Sequence, residues 1–408
     1  MSVAVEPELR FPKFNAKWKP YALKDISKTI TSGSRGWAKF YSDTGSLFLR
    51  MTNLPREGIS LLLDDTKYVS VSATEEGSRT AVAENDILMS ITAELGKIGL
   101  VPSGLGTSYV NQHTALIKTD AKLGHPAFIA NALATKASNK RLNRLNDSGA
   151  KSALNLNTVK DFKVTAPTLP EQKKIATFLW AVDEKLAALE TQLASWQEFK
   201  RAMMQALFTQ SLRFKADDGS SFSTWEEIKL GDIISLSTAS SKSPYLKNGG
   251  QYGVADMGSV SRSGRLQISK ATDEAGDLLA IGELIMPKDD IGGGNIIGRV
   301  ARIDVDESYV LSDHVYCLTP TGADSKFLQF AINSFEVNKS FRRKANGTAQ
   351  LSLSKKAVLE QLIKLPSLLE QKKIASYLSS LDAKTDALSD RLASTHEFKR
   401  GLLQKMFV

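Results

Sequence analysis

Several stretches of the sequence place cationic or amide side chains beside turn-forming residues. An arginine on such a turn can bind guanine through two hydrogen bonds, and asparagine or glutamine can bind adenine in the same way. The stretches are 31–41 (TSGSRGWAKFY), 48–53 (FLRMTN), 259–267 (SVSRSGRLQ) and 286–295 (MPKDDIGGGN). An ordinary charged surface loop is the alternative for each. Together with Lys97, the residues predicted to contact nucleic acid are Arg35, Lys39, Arg50, Arg262, Arg265, Lys288 and Asn295.

Two predicted helices, 125–145 and 324–345, end in clusters of basic residues and are followed by polar loops that contain glycine. A basic helix end beside a loop with exposed backbone is suited to phosphate contact. Basic residues also stabilise the negative end of a helix dipole, so this alternative stays open. The candidates are Arg141, Arg144 and Lys151 in the first half, and Arg342, Arg343, Lys344 and Gln350 in the second.

Residue patterns that would carry out catalysis are absent from the sequence. It contains no G-x-x-x-x-G-K-[ST] phosphate-binding loop and no three-glycine dinucleotide fingerprint. Its four histidines are scattered, and the single Cys317 cannot build a zinc site or a disulfide framework. The Asn/Asp-Pro-Pro-Tyr/Phe signature of amino-methyltransferases and a convincing acidic–lysine nuclease core are also missing. We therefore predict no catalytic residues and no metal site.

The composition is that of an ordinary globular protein with a basic bias. The 408 residues carry a net charge of +9, and residues 1–168 contain 22 Lys and Arg against 15 Asp and Glu. This bias indicates a polyanionic partner, with surface charge for solubility as the alternative. The single cysteine, the lack of a secretory leader and the absence of an apolar run of membrane-spanning length predict a cytoplasmic protein.

The strongest pattern is an internal repeat with an offset of 199 residues. Residues 169–208 and 368–407 align without a gap, and 21 of the 40 positions are identical. Both copies begin with EQKKIA, and they end with the eleven-mers EFKRAMMQALF and EFKRGLLQKMF. Weaker similarity extends through the rest of each half, so the chain is a tandem duplication in which a globular domain and a helix each occur twice.

Apolar residues in both copies follow the heptad spacing of a coiled coil. In the first copy they include Ile175, Leu179, Val182, Leu186 and Leu189, and the second copy has the same spacing. Each helix is predicted to be about 40 residues, or roughly 60 Å, long. Since one amphipathic helix cannot bury its apolar stripe alone, the two copies are predicted to pack on each other within the chain. A coiled coil between two chains is the alternative.

The predicted fold class is α+β, with two similar globular domains separated by two long α-helices. The helices pack as an antiparallel intramolecular coiled coil with internal pseudo-twofold symmetry. The predicted boundaries are 1–168 for the first domain, 169–212 for the first spacer helix, 213–367 for the second domain and 368–408 for the second helix. Polar residues shared by the two helices are either solvated or contact two copies of one partner subunit.

The chain resembles the DNA-specificity subunit of type I restriction–modification systems. The resemblance rests on LPEQKKIATFLWAVDEKL, LLEQKKIASYLSSLDAKTD, the two closing eleven-mers and NGTAQLSLSKKAVLEQLIKLPSLLEQKKIA, and it covers essentially the full length. DILMS and NQH in the first half also support it. The first half departs from the family's usual Gly-Thr-x-Gln loop, because it reads SGAKSALNLN where the second half has Gln350.

The resemblance implies a subunit without catalytic activity, in which each domain reads one half of a bipartite, asymmetric double-stranded DNA site. It implies assembly with two modification subunits, which methylate adenine, and with ATP-dependent restriction subunits. S-adenosylmethionine, ATP and Mg would bind to those partners, and none of them to this chain. The repeated eleven-mers would contact the modification subunits, through Phe199, Lys200, Arg201 and Phe208 in one helix and Phe398, Lys399, Arg400 and Phe407 in the other.

Two other functions remain open at this point. One is a stand-alone restriction or methylation enzyme, which would transfer methyl groups or cut DNA without other subunits. The other is a protein-binding coiled-coil scaffold with no DNA role, whose binding would not respond to salt or to DNA sequence.

Overall fold

The fold of the chain is seen in a computed structural model that describes residues 6–71, 77, 80–146, 152–348 and 350–408. The chain divides into two compact units. The first unit comprises residues 1–190 and 390–408, and the second comprises residues 191–389. Each unit therefore contains one half of each long helix.

The first unit is built on three sheets, of strand order β1-β11, β2-β10-β7-β8 and β3-β5-β4-β9-β6. Strand β10 lies in the middle of the four-stranded sheet because its residues 114–117 are buried on both faces. The strands are β1 (Lys19–Ala22), β2 (Ser27–Ser32), β3 (Tyr41–Ser42), β4 (Ser46–Leu49), β5 (Tyr68–Val69), β6 (Ala81–Val82), β7 (Ile87–Ser90), β8 (Ile98–Leu100), β9 (Ser108–Val110), β10 (Thr114–Thr119) and β11 (Lys163–Ala166).

Three short helices of the first unit pack beside these sheets. They are α1 (Pro126–Ala134), α2 (Lys136–Arg144) and α3 (Leu156–Asp161). The prediction of a single helix over 125–145 is wrong, because this segment forms the two helices α1 and α2. The backbone is extended at Thr135, whose hydroxyl accepts a hydrogen bond from the Ser138 N–H and so caps the second helix.

The second unit repeats this plan with sheets of order β12-β22, β13-β20-β16-β18, β15-β14-β19 and β17-β21. The predicted helix 324–345 is likewise two helices, because the backbone is extended at Ser334. The strands are β12 (Glu226–Lys229), β13 (Ile234–Ser237), β14 (Tyr252–Ala255), β15 (Ala271–Thr272), β16 (Leu284–Pro287), β17 (Asp289–Asp290), β18 (Ala301–Arg302), β19 (Tyr309–Leu311), β20 (Val315–Pro320), β21 (Leu351–Ser352) and β22 (Leu362–Leu365).

Two long helices accompany the sheets. Helix α4 is Leu169–Phe208, and helix α8 is Leu368–Met406. Between them in sequence lie the short helices of the second unit, which are α5 (Ser325–Asn333), α6 (Phe335–Lys344) and α7 (Lys355–Leu359). Within the described ranges, no helix has the length and apolar content needed to cross a membrane.

The heptad residues of the long helices are buried in the cores of the two units. In the first unit, Ile175 and Leu179 near the start of α4 share a core with Leu402 and Met406 near the end of α8. In the second unit, the end of α4 shares a core with the start of α8, through residues such as Leu207, Ile374 and Leu378. The helices therefore run antiparallel within each unit, and the predicted fold class is confirmed.

Candidate nucleic-acid interface

The start of helix α4 is fastened to the first domain by two neighbouring polar residues. The carboxylate of Glu171 is fully buried and accepts hydrogen bonds from Arg10 Nε (2.7 Å) and Arg10 Nη2 (2.8 Å). The Gln172 amide accepts from the His125 N–H and donates to the Pro167 carbonyl, both at 2.9 Å. Hydrogen bonding to Glu171 raises the pKa of Arg10. These contacts fix the direction in which the helix leaves the domain.

The second unit reproduces this junction with equivalent residues. Arg213 donates to Glu370 through Nε (3.1 Å) and Nη2 (2.7 Å), and Glu370 is also fully buried. The Gln371 amide accepts from the Asp324 N–H and donates to the Pro366 carbonyl. The repeated Glu-Gln pair of the sequence therefore binds the start of each long helix to its own domain.

The lysine of each EFKR motif occupies a heptad position between the paired helices and forms an ion pair there. In the second unit, Lys200 of α4 pairs with Asp382 of α8. In the first unit, Lys399 of α8 pairs with Asp183 of α4. A charged residue in the seam is tolerated because its partner comes from the facing helix, which also fixes the register of the two helices.

The other residues of the eleven-mers that are predicted to contact a partner divide into two rings packed within their units and an exposed set. The ring of Phe407 packs on Phe128, with 5.2 Å between centroids, and Phe208 packs on Phe327 at 5.8 Å. Both rings therefore have structural contacts within their own unit. The exposed set consists of Phe199, Arg201, Phe398 and Arg400. Contact of these residues with a partner subunit stays a prediction.

In the second unit, a glycine-rich loop (residues 291–295) follows strand β17. The buried carboxylate of Asp290 shapes the loop by accepting hydrogen bonds from the N–H groups of Gly292 (2.6 Å), Ile296 (2.6 Å) and Ile297 (3.2 Å). The Asn295 side-chain amide donates to the Gly292 carbonyl and closes the turn. This loop is thus a preformed structure with its own internal support.

Two arginines lie beside the glycine-rich loop. A methyl group added at Gly294 would lie 3.5 Å from Arg342 Nη2, which places that guanidinium against the loop backbone. Arg299 Nη1 donates to the Asn333 carbonyl at 2.7 Å. Burial, together with the positive charge of Arg342, lowers the pKa of Arg299. The smaller of these two causes shows that the charge of Arg342 acts on Arg299.

The corresponding loop of the first unit is shorter and carries a carboxylate. Glu94 pairs with Lys97 at 2.7 Å and with Arg56 at 3.4 Å, and these hydrogen bonds lower the pKa of Glu94. The two loops are equivalent in position, since Gly96 and Gly298 both have positive φ and both pack against the second helix of the domain. The same framework thus supports loops of different charge.

Comparison with known proteins places these features in a family. A family model described as the type I restriction modification DNA specificity domain matches the chain twice, over residues 15–195 and 223–394. The chain belongs to this family. The two matches contain the two domains and most of both long helices, so the duplication seen in the sequence is a duplication of this family domain.

One curated relative and two solved structures illustrate the similarity. The type I restriction enzyme MjaVIII specificity subunit of Methanocaldococcus jannaschii is 26% identical over 242 residues, which are 54% of this chain and 56% of that protein. The matched segment thus spans about half the length of this relative. The type I restriction-modification S subunit from M. genitalium has a TM-score of 0.66 at 15% identity, over 99% of both chains.

A second solved structure comes from work on complex assembly and conformational transition of the type I R-M system. It has a TM-score of 0.56 and 15% identity, over 96% of this chain and 97% of that chain. At this level of identity, both structural likenesses concern the fold, and they agree with the arrangement of two domains and two long helices.

Several residues predicted to contact DNA form contacts within their own unit. Arg50 pairs with Asp65, and Lys97 pairs with Glu94. Arg265 forms ion pairs with Asp382 and Asp386 of helix α8; burial alone would lower its pKa, but these carboxylates raise it. Contacts through other groups involve Lys39 with the Phe40 ring, Arg141 with the Phe162 ring and Lys163 carbonyl, Lys288 with the Tyr316 ring, Asn295 with the Gly292 carbonyl and Lys344 with Gln361.

The other predicted residues are exposed on their domains. In the part of the chain that the structure describes, they have no hydrogen bond or ion pair to protein groups. They are Arg35, Arg144, Arg262, Arg342, Arg343 and Gln350. Lys151 lies outside the described residues. Of the fifteen predicted positions, the structure brings Asn295 and Arg342 together at loop 291–295. DNA contact by any of them stays a prediction.

Sequence reasoning missed the arginines of the helix junctions and Arg299. A signal for the first two was present, because LRF occurs as Leu9–Phe11 and again as Leu212–Phe214, beside the other repeated segments. Arg299 lies in the segment IIGRV, residues 296–300, in which it is the one charged residue. Its importance depends on Arg342, 43 residues later in the sequence, and no local pattern connects the two.

The lone cysteine is unreactive in the fold, and His113 and His314 each have a hydrogen-bonding partner within their own unit. Burial raises the pKa of Cys317 to about 12, so its thiol is protonated at neutral pH. His314 Nδ1 lies 2.6 Å from Asp289, and His113 Nδ1 lies 2.8 Å from the Thr92 hydroxyl. Among the described residues, no group of three or more His, Cys, Asp or Glu side chains could hold a metal ion.

Proposed function

We propose that this chain is the DNA specificity subunit of a type I restriction–modification system. The observation that carries the proposal is the family match over both halves, 15–195 and 223–394, each ending in a long helix fastened by the same Arg–Glu and Gln contacts. A duplicated framework of this kind is suited to two readings of one DNA molecule, one by each domain.

The two domains are proposed to read different half-sites. Their frameworks agree, but their exposed loops differ in length and charge, as loop 291–295 and its shorter counterpart around Glu94 demonstrate. Since base edges are read by side chains on such loops, unlike loops predict unlike half-sites and hence an asymmetric DNA sequence. The long helices, of 40 and 39 residues, are proposed to set the spacing between the half-sites.

Partner subunits are proposed to supply the chemistry. Two modification subunits would bind S-adenosylmethionine and methylate adenine, and restriction subunits would use ATP and Mg to translocate and cleave DNA. This chain is proposed to be non-catalytic and to bind none of these cofactors. The exposed aromatic and basic residues of the repeated eleven-mers, Phe199 and Arg201 in one helix and Phe398 and Arg400 in the other, are the proposed contacts for the modification subunits.

Mapping of methylated adenines in the host genome, with the gene present and with it deleted, tests this proposal. We expect a split, asymmetric motif that disappears on deletion. Purified chain without partners should transfer no methyl group from S-adenosylmethionine to DNA. A methylation pattern that is unchanged by deletion, or methyl transfer by the isolated chain, would contradict the proposed role.

A further inference from the structure

The glycine-rich loop of the second unit has backbone donors that no acceptor among the described residues uses. Asp290 occupies the N–H groups of Gly292, Ile296 and Ile297. Over the described ranges, the N–H groups of Gly293, Gly294 and Asn295 donate to no protein acceptor. Gly293 and Gly294 both have positive φ, +78° and +83°, which side-chain-bearing residues rarely adopt. The loop thus has three unused donors in sequence, and Gly293 and Asn295 are exposed.

The two arginines beside this loop form no ion pair with an acid in the described part of the chain. Arg342 lies against Gly294 and, among described residues, forms no ion pair or hydrogen bond with a protein group. Arg299 donates to a neutral carbonyl through Nη1, and its Nε is buried without an acceptor. The carboxylate of Asp290, which shapes this loop, has both oxygens occupied by backbone N–H groups. Positive charge and free donors therefore converge at one loop.

We propose that loop 291–295, Arg299 and Arg342 form a phosphate-binding site that exists in the second unit and not in the first. This inference rests on the proposed function, since the phosphate is assigned to the backbone of the DNA half-site that the second domain reads. Backbone N–H groups and a guanidinium fork are the donors that phosphate oxygens accept most effectively.

The first unit has the same framework without the site. Its loop has Glu94 in place of the glycines, and that carboxylate already neutralises Lys97, the counterpart of Arg299. The counterpart of Arg342 is Asn143, whose amide donates back to Asn139 of its own helix. Because Glu94 already pairs both neighbouring cations, Lys97 and Arg56, this loop is not expected to bind a phosphate.

The test uses the full chain assembled with its modification subunits and a duplex that contains the mapped methylation motif. For Arg342→Gln we expect affinity to fall about tenfold, as for loss of one charge-assisted hydrogen bond. The slope of log K against log salt concentration should become shallower by about 0.9, as for loss of one phosphate contact. Lys339→Gln removes the same charge one turn earlier in helix α6 and should change affinity less than twofold.

Both variants should unfold within about 2 °C of the wild type, since Arg342 and Lys339 are exposed. If Arg342→Gln and Lys339→Gln gave equal affinities and equal slopes, the proposed site would be refuted.

Neutral methylphosphonate substitutions along the duplex identify the source of the phosphate. For the wild-type complex, the substitution at one position in the half-site of the second domain should lower the affinity about tenfold. For the Arg342→Gln complex, the same substitution should lower the affinity no further. A calorimetric titration with inorganic phosphate tests whether the site binds free phosphate instead. Binding of free phosphate that depends on Arg342, without any sensitive position in the DNA, would overturn the assignment to DNA.

These outcomes separate the inference from the proposed function. If the wild-type complex showed no preference for any DNA sequence, the proposed function would fail. If it bound its motif normally and only the Arg342 and methylphosphonate effects were missing, the phosphate site alone would be wrong.

Discussion

The buried ion pair at the start of helix α8 allows a quantitative test of the helix junction. Glu370 is fully buried and accepts from Arg213 Nε (3.1 Å), Arg213 Nη2 (2.7 Å) and Trp225 Nε1 (3.1 Å). Arg213→Met leaves this carboxylate with the indole as its one side-chain donor. Removing one partner of a buried ion pair costs roughly 3–5 kcal/mol. Because Trp225 still donates a hydrogen bond to Glu370, we expect the free energy of unfolding to fall by an amount near the lower limit, about 3 kcal/mol.

The double variant Arg213→Met with Glu370→Met separates the ion pair from packing. It removes both charges, so the penalty for an isolated buried carboxylate disappears, and we expect at least half of the lost stability to return. Hydrogen exchange of residues 370–381 measures the stability of this helix start. Residues 171–182 of the first unit, whose own Arg10–Glu171 pair is intact, serve as the internal reference.

Two results would refute this reasoning. The first is a loss of less than about 1 kcal/mol for Arg213→Met, because the pair would then behave like an exposed salt bridge. The second is a double variant whose loss equals the sum of the two single losses, since the two side chains would then be energetically independent.

Three further predictions concern single side chains. The pKa of Cys317 is raised to about 12, so at pH 8 its thiol should react with a thiol reagent about a thousandfold more slowly in the native chain than in urea. Rapid labelling of the native chain would disprove the burial of Cys317. Phe407→Ala should cost about 3 kcal/mol of unfolding free energy. Phe398→Ala should leave stability unchanged and weaken modification-subunit binding in a pull-down. The reverse pattern would contradict the buried position of Phe407 and the exposed position of Phe398. Arg343→Gln should weaken binding to all DNA sequences alike, and a loss confined to one sequence would exclude a phosphate contact.

The long helices could be predicted from the sequence because their signal is local and repeated. The heptad spacing and the identical EQKKIA and EFKR segments led to two helices near 169–212 and 368–408, and the helices are Leu169–Phe208 and Leu368–Met406. The break at Thr135 was missed because the apolar pattern continues through it. The Thr135 hydroxyl accepts a hydrogen bond from the Ser138 N–H, and this cap begins a new helix although the apolar pattern is continuous.

The candidate interface was harder to predict because charge depends on distant partners. Arg265 stands on a turn that resembles a DNA-contacting loop, but Asp386, 121 residues later in the sequence, pairs with it. Arg342 was selected as part of a basic helix end, and its distinctive feature is the glycine loop beside it. Sequence spacing could not reveal which cations find carboxylates within the fold and which remain available.

The central claim is that each domain reads its own half of one DNA site. Its most direct test is methylated-adenine mapping after the second domain, residues 213–367, is exchanged for that of another specificity subunit. We predict a new motif in which one half and the spacing are retained and only the other half changes. A motif that keeps both halves, or loses both, would contradict the claim.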